Sequence, residues 1–169
     1  MQDLYVVTHP HAEHTAQDVV GGWHNSVLTP AGRRDAELIA KALKRRRTGT
    51  SRPNSWLAQR QAPAPDDNRL DHRGPVAGAE TRREIASRIG ECVRELMNEL
   101  DHDHIVVTHG FAHTFAISAW LQLPVEAAGF ATFATTPGAI THLRHDGYWR
   151  NRTLAQLADT SHLDRGTIA

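Results

Sequence analysis

The chain opens on an unbroken apolar run, Leu4 to Thr8 (Leu-Tyr-Val-Val-Thr), and returns to one at His104 to Thr108. Both runs are short and β-branched, without polar alternation, as expected of strands covered on both faces in a parallel sheet. Elsewhere the period becomes helical. Thr29 is an N-cap with Pro30 at the first helical position, and Ala31 to about Arg46 carries Ala36, Ile39, Ala40 and Leu43 on one face. Thr81-Arg82-Arg83-Glu84 matches a capping box, and the stripe Ile85, Ile89, Val93, Leu96 and Leu100 follows it. After the second strand, His109-Gly110 leads into an apolar helix from about Phe111 to Leu121, with Pro124 just beyond it.

Two further strands are predicted at Phe130–Ala134 and Ala139–Arg144, joined by a turn at Pro137-Gly138. The chain after Tyr148 reads as irregular. Thr48 to Gly78, with Pro53, Pro63, Pro65 and Pro75, lacks periodicity and reads as a long irregular connection, about 48–78, with a short helical turn near Trp56. Strands alternating with helices predict an α/β fold. The expected architecture is a three-layer α/β/α sandwich with a mostly parallel central sheet, in a single domain spanning residues 1–169.

Charge changes this picture little. Lys plus Arg number 19 and Asp plus Glu number 19, so no bulk field favours nucleic acid or an anionic membrane, and any anion site must be local. Lys44 to Arg47 suits the negative end of a helix dipole. There is no signal-like start and no apolar run of membrane-spanning length, so a soluble, cytoplasmic protein is expected. The single cysteine, Cys92, excludes an intrachain disulfide framework and a cysteine zinc cluster, and its place beside an apolar helical stripe marks it as a core thiol.

The unusual count is 12 histidines, several of them closely spaced. Imidazole is both the general acid or base of neutral pH and the commonest metal ligand. One pattern stands out: Val6-Val7-Thr8-His9 and Val106-Val107-Thr108-His109 place the same tetrapeptide at the ends of two predicted strands. Ligands of open α/β sheets bind at such strand ends. Two convergent imidazoles could divide attack on phosphorus and stabilisation of phosphoryl charge between them, with Gly110 letting an anion approach a helix N-terminus. The competing arrangement is a metal site built from His9, His11, His109 and His113, with His14 nearby; His109 and His113 have the i, i+4 spacing of one helix face.

These segments resemble the histidine phosphatase superfamily, which includes the cofactor-dependent phosphoglycerate mutases. Leu4 to His11 aligns with the family's opening strand and Arg-His-Gly-Glu pattern. Leu28-Thr29-Pro30-Ala31-Gly32-Arg33-Arg34-Asp35-Ala36 is similar to its Leu-Thr-x-x-Gly-x-x-Gln-Ala segment, and Gly78-Ala79-Glu80-Thr81 to its Gly-Glu-Ser segment, with Arg88 one helix face on. Val106 to Gly110 matches its second histidine motif, and Trp149-Arg150-Asn151 through Asp159-Thr160-Ser161-His162-Leu163 its C-terminal segment. The resemblance implies a phosphoglycerate mutase-like fold and phosphomonoester hydrolysis through a phosphohistidine. His9 is then the nucleophile and His109 the phosphoryl-binding residue, with no metal or other cofactor. An imidazole of pKa ~6.5 is a competent nucleophile near neutral pH.

The chain also departs from that pattern. Thr8 stands where the family has an arginine, Pro10 replaces a glycine, His11 an acidic residue and Thr15 an asparagine. No second strand, arginine-bearing helix or proton-donating glutamate is recognisable between Arg47 and Trp56. Either that segment is deleted, or residues are missing from the sequence, or Arg52, Arg60, Arg73 or Arg82 substitutes for the lost cations. The remaining expectations are Glu13 and Glu80 as proton donors, and Thr8, Thr15 and Gly110 as phosphate-binding groups. The expected partner is a small phosphorylated metabolite; an apolar wall could come from Trp23, Trp56 and Phe111, and the Phe111–Leu121 helix is compatible with a homodimer. A histidine-rich metal enzyme, or an inert phospho-ligand binding module on the same fold, are the alternatives.

Overall fold

A computed structural model describes residues 2–17, 26–44, 47–50, 69–73, 78–99 and 102–163, with only the backbone described at 47–50. Its elements are β1 (Gln2–Thr8), α1 (Glu13–Ala16), α2 (Pro30–Ala42), β2 (Arg47–Thr50), α3 (Arg82–Asn98), β3 (His104–Thr108), α4 (Gly110–Trp120), β4 (Ile140–His145) and β5 (Arg152–Asp159). A 3-10 turn occupies Val125–Gly129.

The strands form one sheet in the order β2-β3-β1-β4-β5. The β2–β3 and β3–β1 pairs are parallel, whereas β1–β4 and β4–β5 are antiparallel. Since β5 reverses the reversed β4, only β4 runs against the others, and the expectation of a mostly parallel sheet holds in that sense.

Side-chain alternation on β1 sorts the core into two halves. Leu4 and Val6 join Val106, Leu143 and the inward faces of α3 and α4, including Ile85, Ile89, Phe115 and Trp120. Tyr5 and Val7 face the other way, onto Ile105, Ile140 and Leu163, with Ile39 and Leu43 closing that side from α2 and its end. The consecutive apolar residues Leu4 to Val7 are thus the imprint of helices on both faces, which makes three layers.

The caps behave as their chemistry predicts. The Thr29 hydroxyl accepts from Gly32 N–H at 3.1 Å, and Thr81 and Glu84 form a reciprocal capping box. Helix α4 is buried along most of its length, which accounts for its mostly apolar sequence.

Four boundaries differ from expectation. Helix α2 ends at Ala42 rather than near Arg46. Strand β2 falls where an irregular connection is expected; it is four residues of polar and small character, paired by backbone among the described residues to β3, so no hydrophobic alternation announces it. Phe130–Ala134 forms no strand: it crosses α4, where Phe133 N–H donates to the Thr114 hydroxyl, and Phe130 lies 85% exposed. Conversely, the segment after Tyr148 contains β5, an edge strand largely open to solvent and joined to β4 with register shifts. The helical turn expected near Trp56 lies outside the described residues.

Candidate active site

The repeated tetrapeptide acts through register. Val6 pairs with Val106, Val7 with Val107 and Thr8 with Thr108 in the parallel β1–β3 ladder, and His9 N–H continues it by donating to the Thr108 carbonyl at 3.0 Å. Residues in register on adjacent strands lie about one strand spacing apart, ~4.8 Å. The His9 and His109 rings obey this, with centroids 4.9 Å apart and planes inclined by 59°.

The backbone fixes the chemistry of each ring. His9 Nδ1 lies 2.8 Å from the Pro10 carbonyl oxygen. A carbonyl only accepts, so Nδ1 donates and, in the neutral ring, Nε2 carries the lone pair. His109 is the N-cap of α4, with extended backbone (φ −109°, ψ 168°), so its ring stands at the positive end of a buried helix. Burial, and then the charges of His9 and His14, push the His109 pKa down to about 4. His109 is therefore neutral at neutral pH. Beside it, a Cβ built on Gly110 would meet nothing within 4 Å among the described residues beyond its own turn, so these residues leave the space over the first turn of α4 open.

Several contacts hold the loop that carries His9. Gly138 N–H donates to the Thr8 and His9 carbonyls at 3.0 and 3.1 Å, and Thr8 N–H donates to the Ala139 carbonyl. Gly138 adopts φ +79°, which glycine tolerates without strain, and packs under Leu163, while His162 Nε2 donates to its carbonyl. The C-terminal motif is therefore a brace for the turn that positions His9. On the opposite side the His11 carbonyl accepts from Thr29 N–H at 3.1 Å and from the Thr29 hydroxyl at 3.3 Å. Gly32 is needed there, because a Cβ would lie 1.9 Å from that oxygen.

The remaining sequence candidates are placed as follows. The Thr8 hydroxyl is 2.7 Å from that of Thr135, and Thr8 is buried. Thr15 lies half-buried in α1, where its N–H caps back to the Ala12 carbonyl. Glu13 is exposed at the start of α1, and the Glu80 carboxylate is gripped by both Arg88 nitrogens at 3.0 and 2.9 Å. Neither carboxylate makes a described contact with His9 or His109.

The four histidines of the metal reading do not converge. His113 is fully buried with Nε2 2.8 Å from the Thr141 hydroxyl, and His11 Nδ1 sits 3.3 Å from the Thr29 hydroxyl. The i, i+4 argument fails because His109 is a cap in extended conformation rather than a helical residue, so its ring leaves the face His113 occupies. Among the described residues, no group of three or more His, Cys, Asp or Glu could hold a metal ion.

Of the arginines weighed as substitutes, Arg73 binds the Ala79 carbonyl and Glu84, and Arg82 stacks 4.5 Å over the half-exposed Phe111 ring at the first turn of α4. Burial and the charge of Arg69 depress the Arg82 pKa. Arg52, Arg60, Trp23 and Trp56 lie outside the described residues. The structure adds one group that sequence spacing had suggested only as a metal ligand: the His14 ring, 5.2 Å from that of His9.

The family model for the histidine phosphatase superfamily, branch 1, matches residues 49–158, more than half of the 169-residue chain. The chain belongs to the histidine phosphatase superfamily. The match starts in β2 and ends in β5, so it includes His109 and the capping-box segment of α3. A comparison with curated proteins finds no match.

Among solved structures, a phosphoserine phosphatase mutant from Entamoeba histolytica in complex with phosphoserine superposes with a TM-score of 0.74 at 14% identity, covering 96% of this chain and 100% of that one. YhfR of Bacillus stearothermophilus gives 0.70 at 18% identity, covering 97% and 100%. A putative α-ribazole-5'-P phosphatase from Escherichia coli gives 0.73 at 14% identity, covering 94% and 96%. At these identities the likeness establishes the histidine phosphatase fold. No described helix is long and apolar enough to cross a membrane.

Proposed function

We propose that the protein is a phosphomonoester hydrolase that works through a phosphohistidine on His9, with a small phosphorylated metabolite as substrate. The observation that carries this reading is the Nδ1–Pro10 hydrogen bond, which leaves Nε2 as the free nucleophilic nitrogen beside His109. In the first step Nε2 attacks phosphorus; a P–N bond forms, the ester P–O bond breaks and the departing oxygen takes a proton. In the second, water adds to phosphorus, the P–N bond breaks, a proton leaves and inorganic phosphate is released. Splitting one displacement into two lowers each barrier.

His109 and the α4 N-terminus provide the electrostatic support. A phosphate dianion beside His109 favours its protonated form, so substrate arrival raises a pKa that burial holds near 4, and the imidazolium then donates to the phosphoryl oxygens. The peptide N–H groups of the open first turn at Gly110 add oriented dipoles. Thr8, at the position of the family's arginine, offers a hydroxyl without charge, and weak phosphate affinity is expected.

The test is turnover of para-nitrophenyl phosphate, together with trapping of an acid-labile, alkali-stable phosphoryl group. Wild type should hydrolyse the ester and carry the label on His9, and His9→Ala should lose both. Phosphate binding without turnover in either form would overturn hydrolysis and identify an inert binding module.

A further inference from the structure

We infer that His14 is the acid that protonates the leaving-group oxygen and the base that then activates water, the role first sought among carboxylates. This rests on the phosphohistidine reading above. The requirement is chemical: an alkoxide leaves a phosphate ester poorly unless a proton reaches its oxygen, which departs in line with the attacking nitrogen across phosphorus, so the donor must border the space the phosphoryl group occupies. Glu13 is exposed, and Glu80 is chelated by Arg88. Neither is seen at the rings.

His14 is seen there. The chain folds back after His9 because Ala12 bridges to Leu28 and caps the short α1, in which Thr15 and Ala16 N–H donate to the Ala12 carbonyl. The backbone N–H of His14 is fixed on the Ser26 hydroxyl at 3.1 Å. These constraints bring the His14 ring, half-buried, to 5.2 Å from the His9 ring with a 44° tilt. His9 therefore has two imidazoles close by, His109 at 4.9 Å and His14 at 5.2 Å. His14 also lies near enough for its charge to help depress the His109 pKa.

The two neighbours are not equivalent. His109 caps α4, where peptide N–H groups favour phosphoryl oxygens, whereas His14 follows the exposed Glu13 in a four-residue helix and answers to Ser26. This divides the labour: phosphoryl oxygens at His109, ester oxygen at His14. An imidazole is suited to both halves of the cycle, giving a proton to the alkoxide and then taking one from water near neutral pH.

The experiment compares His14→Asn with wild type on two esters, para-nitrophenyl phosphate, whose phenolate leaves without protonation, and an alkyl phosphate such as glycerol 2-phosphate, whose oxygen needs the proton. The variant should lose on the order of 10²-fold or more in kcat on the alkyl ester, while phosphorylation of His9 by the aryl ester stays within a few-fold of wild type. Equal losses in the rate of His9 phosphorylation by the two esters would mean that His14 binds phosphate or supports the fold, and no loss in that rate with either would mean that it is not the acid; each result overturns the assignment. If wild type forms no phosphohistidine, the reading beneath it has failed as well. Wild-type labelling with an unchanged substrate ratio in the variant would fail the His14 role alone.

Discussion

Gly32 offers a direct test of how α2 controls the nucleophile loop. In Gly32→Ala the new Cβ would stand 1.9 Å from the His11 carbonyl oxygen and 2.9 Å from its carbon, whereas real Cβ contacts do not fall under 3.0 Å. Helix and loop must therefore part by at least about 1.1 Å. That separation stretches both Thr29 hydrogen bonds to the same oxygen, now 3.1 and 3.3 Å, past useful length. Two bonds at about 1 kcal/mol each, with roughly 1 kcal/mol or more of overpacking, outweigh the ~1 kcal/mol that alanine gains over glycine in a helix. A net loss of about 2 kcal/mol is expected, or about 4–8 °C in Tm at this chain length. His9 lies two residues upstream, and a shift of about 1 Å in a nucleophile costs on the order of 10²-fold in rate. Urea and thermal unfolding measure the first effect, and para-nitrophenyl phosphate turnover the second. A variant as stable as wild type or more so, as helix propensity alone would have it, refutes the argument.

Gly110→Ala is the complement: its Cβ meets no protein atom within 4 Å, so Tm should hold or rise slightly while phosphate affinity falls, as read by calorimetric titration with inorganic phosphate. Burial also ties stability to pH. His113 is fully enclosed and, like His109, has its pKa pushed down to about 4, whereas unfolded histidine titrates near ~6.5. The folded value lies below the unfolded one, so stability is complete above about pH 6.5 and falls as pH drops toward 4, because the unfolded chain takes up protons that the fold refuses. His113 alone should cost about 2 kcal/mol at about pH 5, and the partly exposed His109 less. Urea unfolding across this range should show the slope, with His113→Gln flattening it; a wild-type curve that stays level would contradict the burial argument.

The active-site pairing was legible in the sequence because it depends on a short-range rule. Two identical strand endings that pair in register must set their next residues side by side, and His9 and His109 lie one strand spacing apart. The strands β1 and β3, and helices α2, α3 and α4, could be read for a related reason: covering layers force apolar periodicity or cap chemistry into the chain. Edge strands carry no such mark. Strand β2 is polar and β5 mostly exposed, held by backbone pairing that any composition can supply, and both were invisible until their neighbours were in place. Tertiary structure also decided what each histidine is for. Spacing alone made His109 and His113 look like one helical face, but an extended N-cap conformation turned the first toward His9 and left the second buried against Thr141. It brought His14 to His9 through the Ala12–Leu28 bridge and the Ser26 contact, which join segments separated along the chain, and proximity of that kind is created by folding rather than written in local pattern.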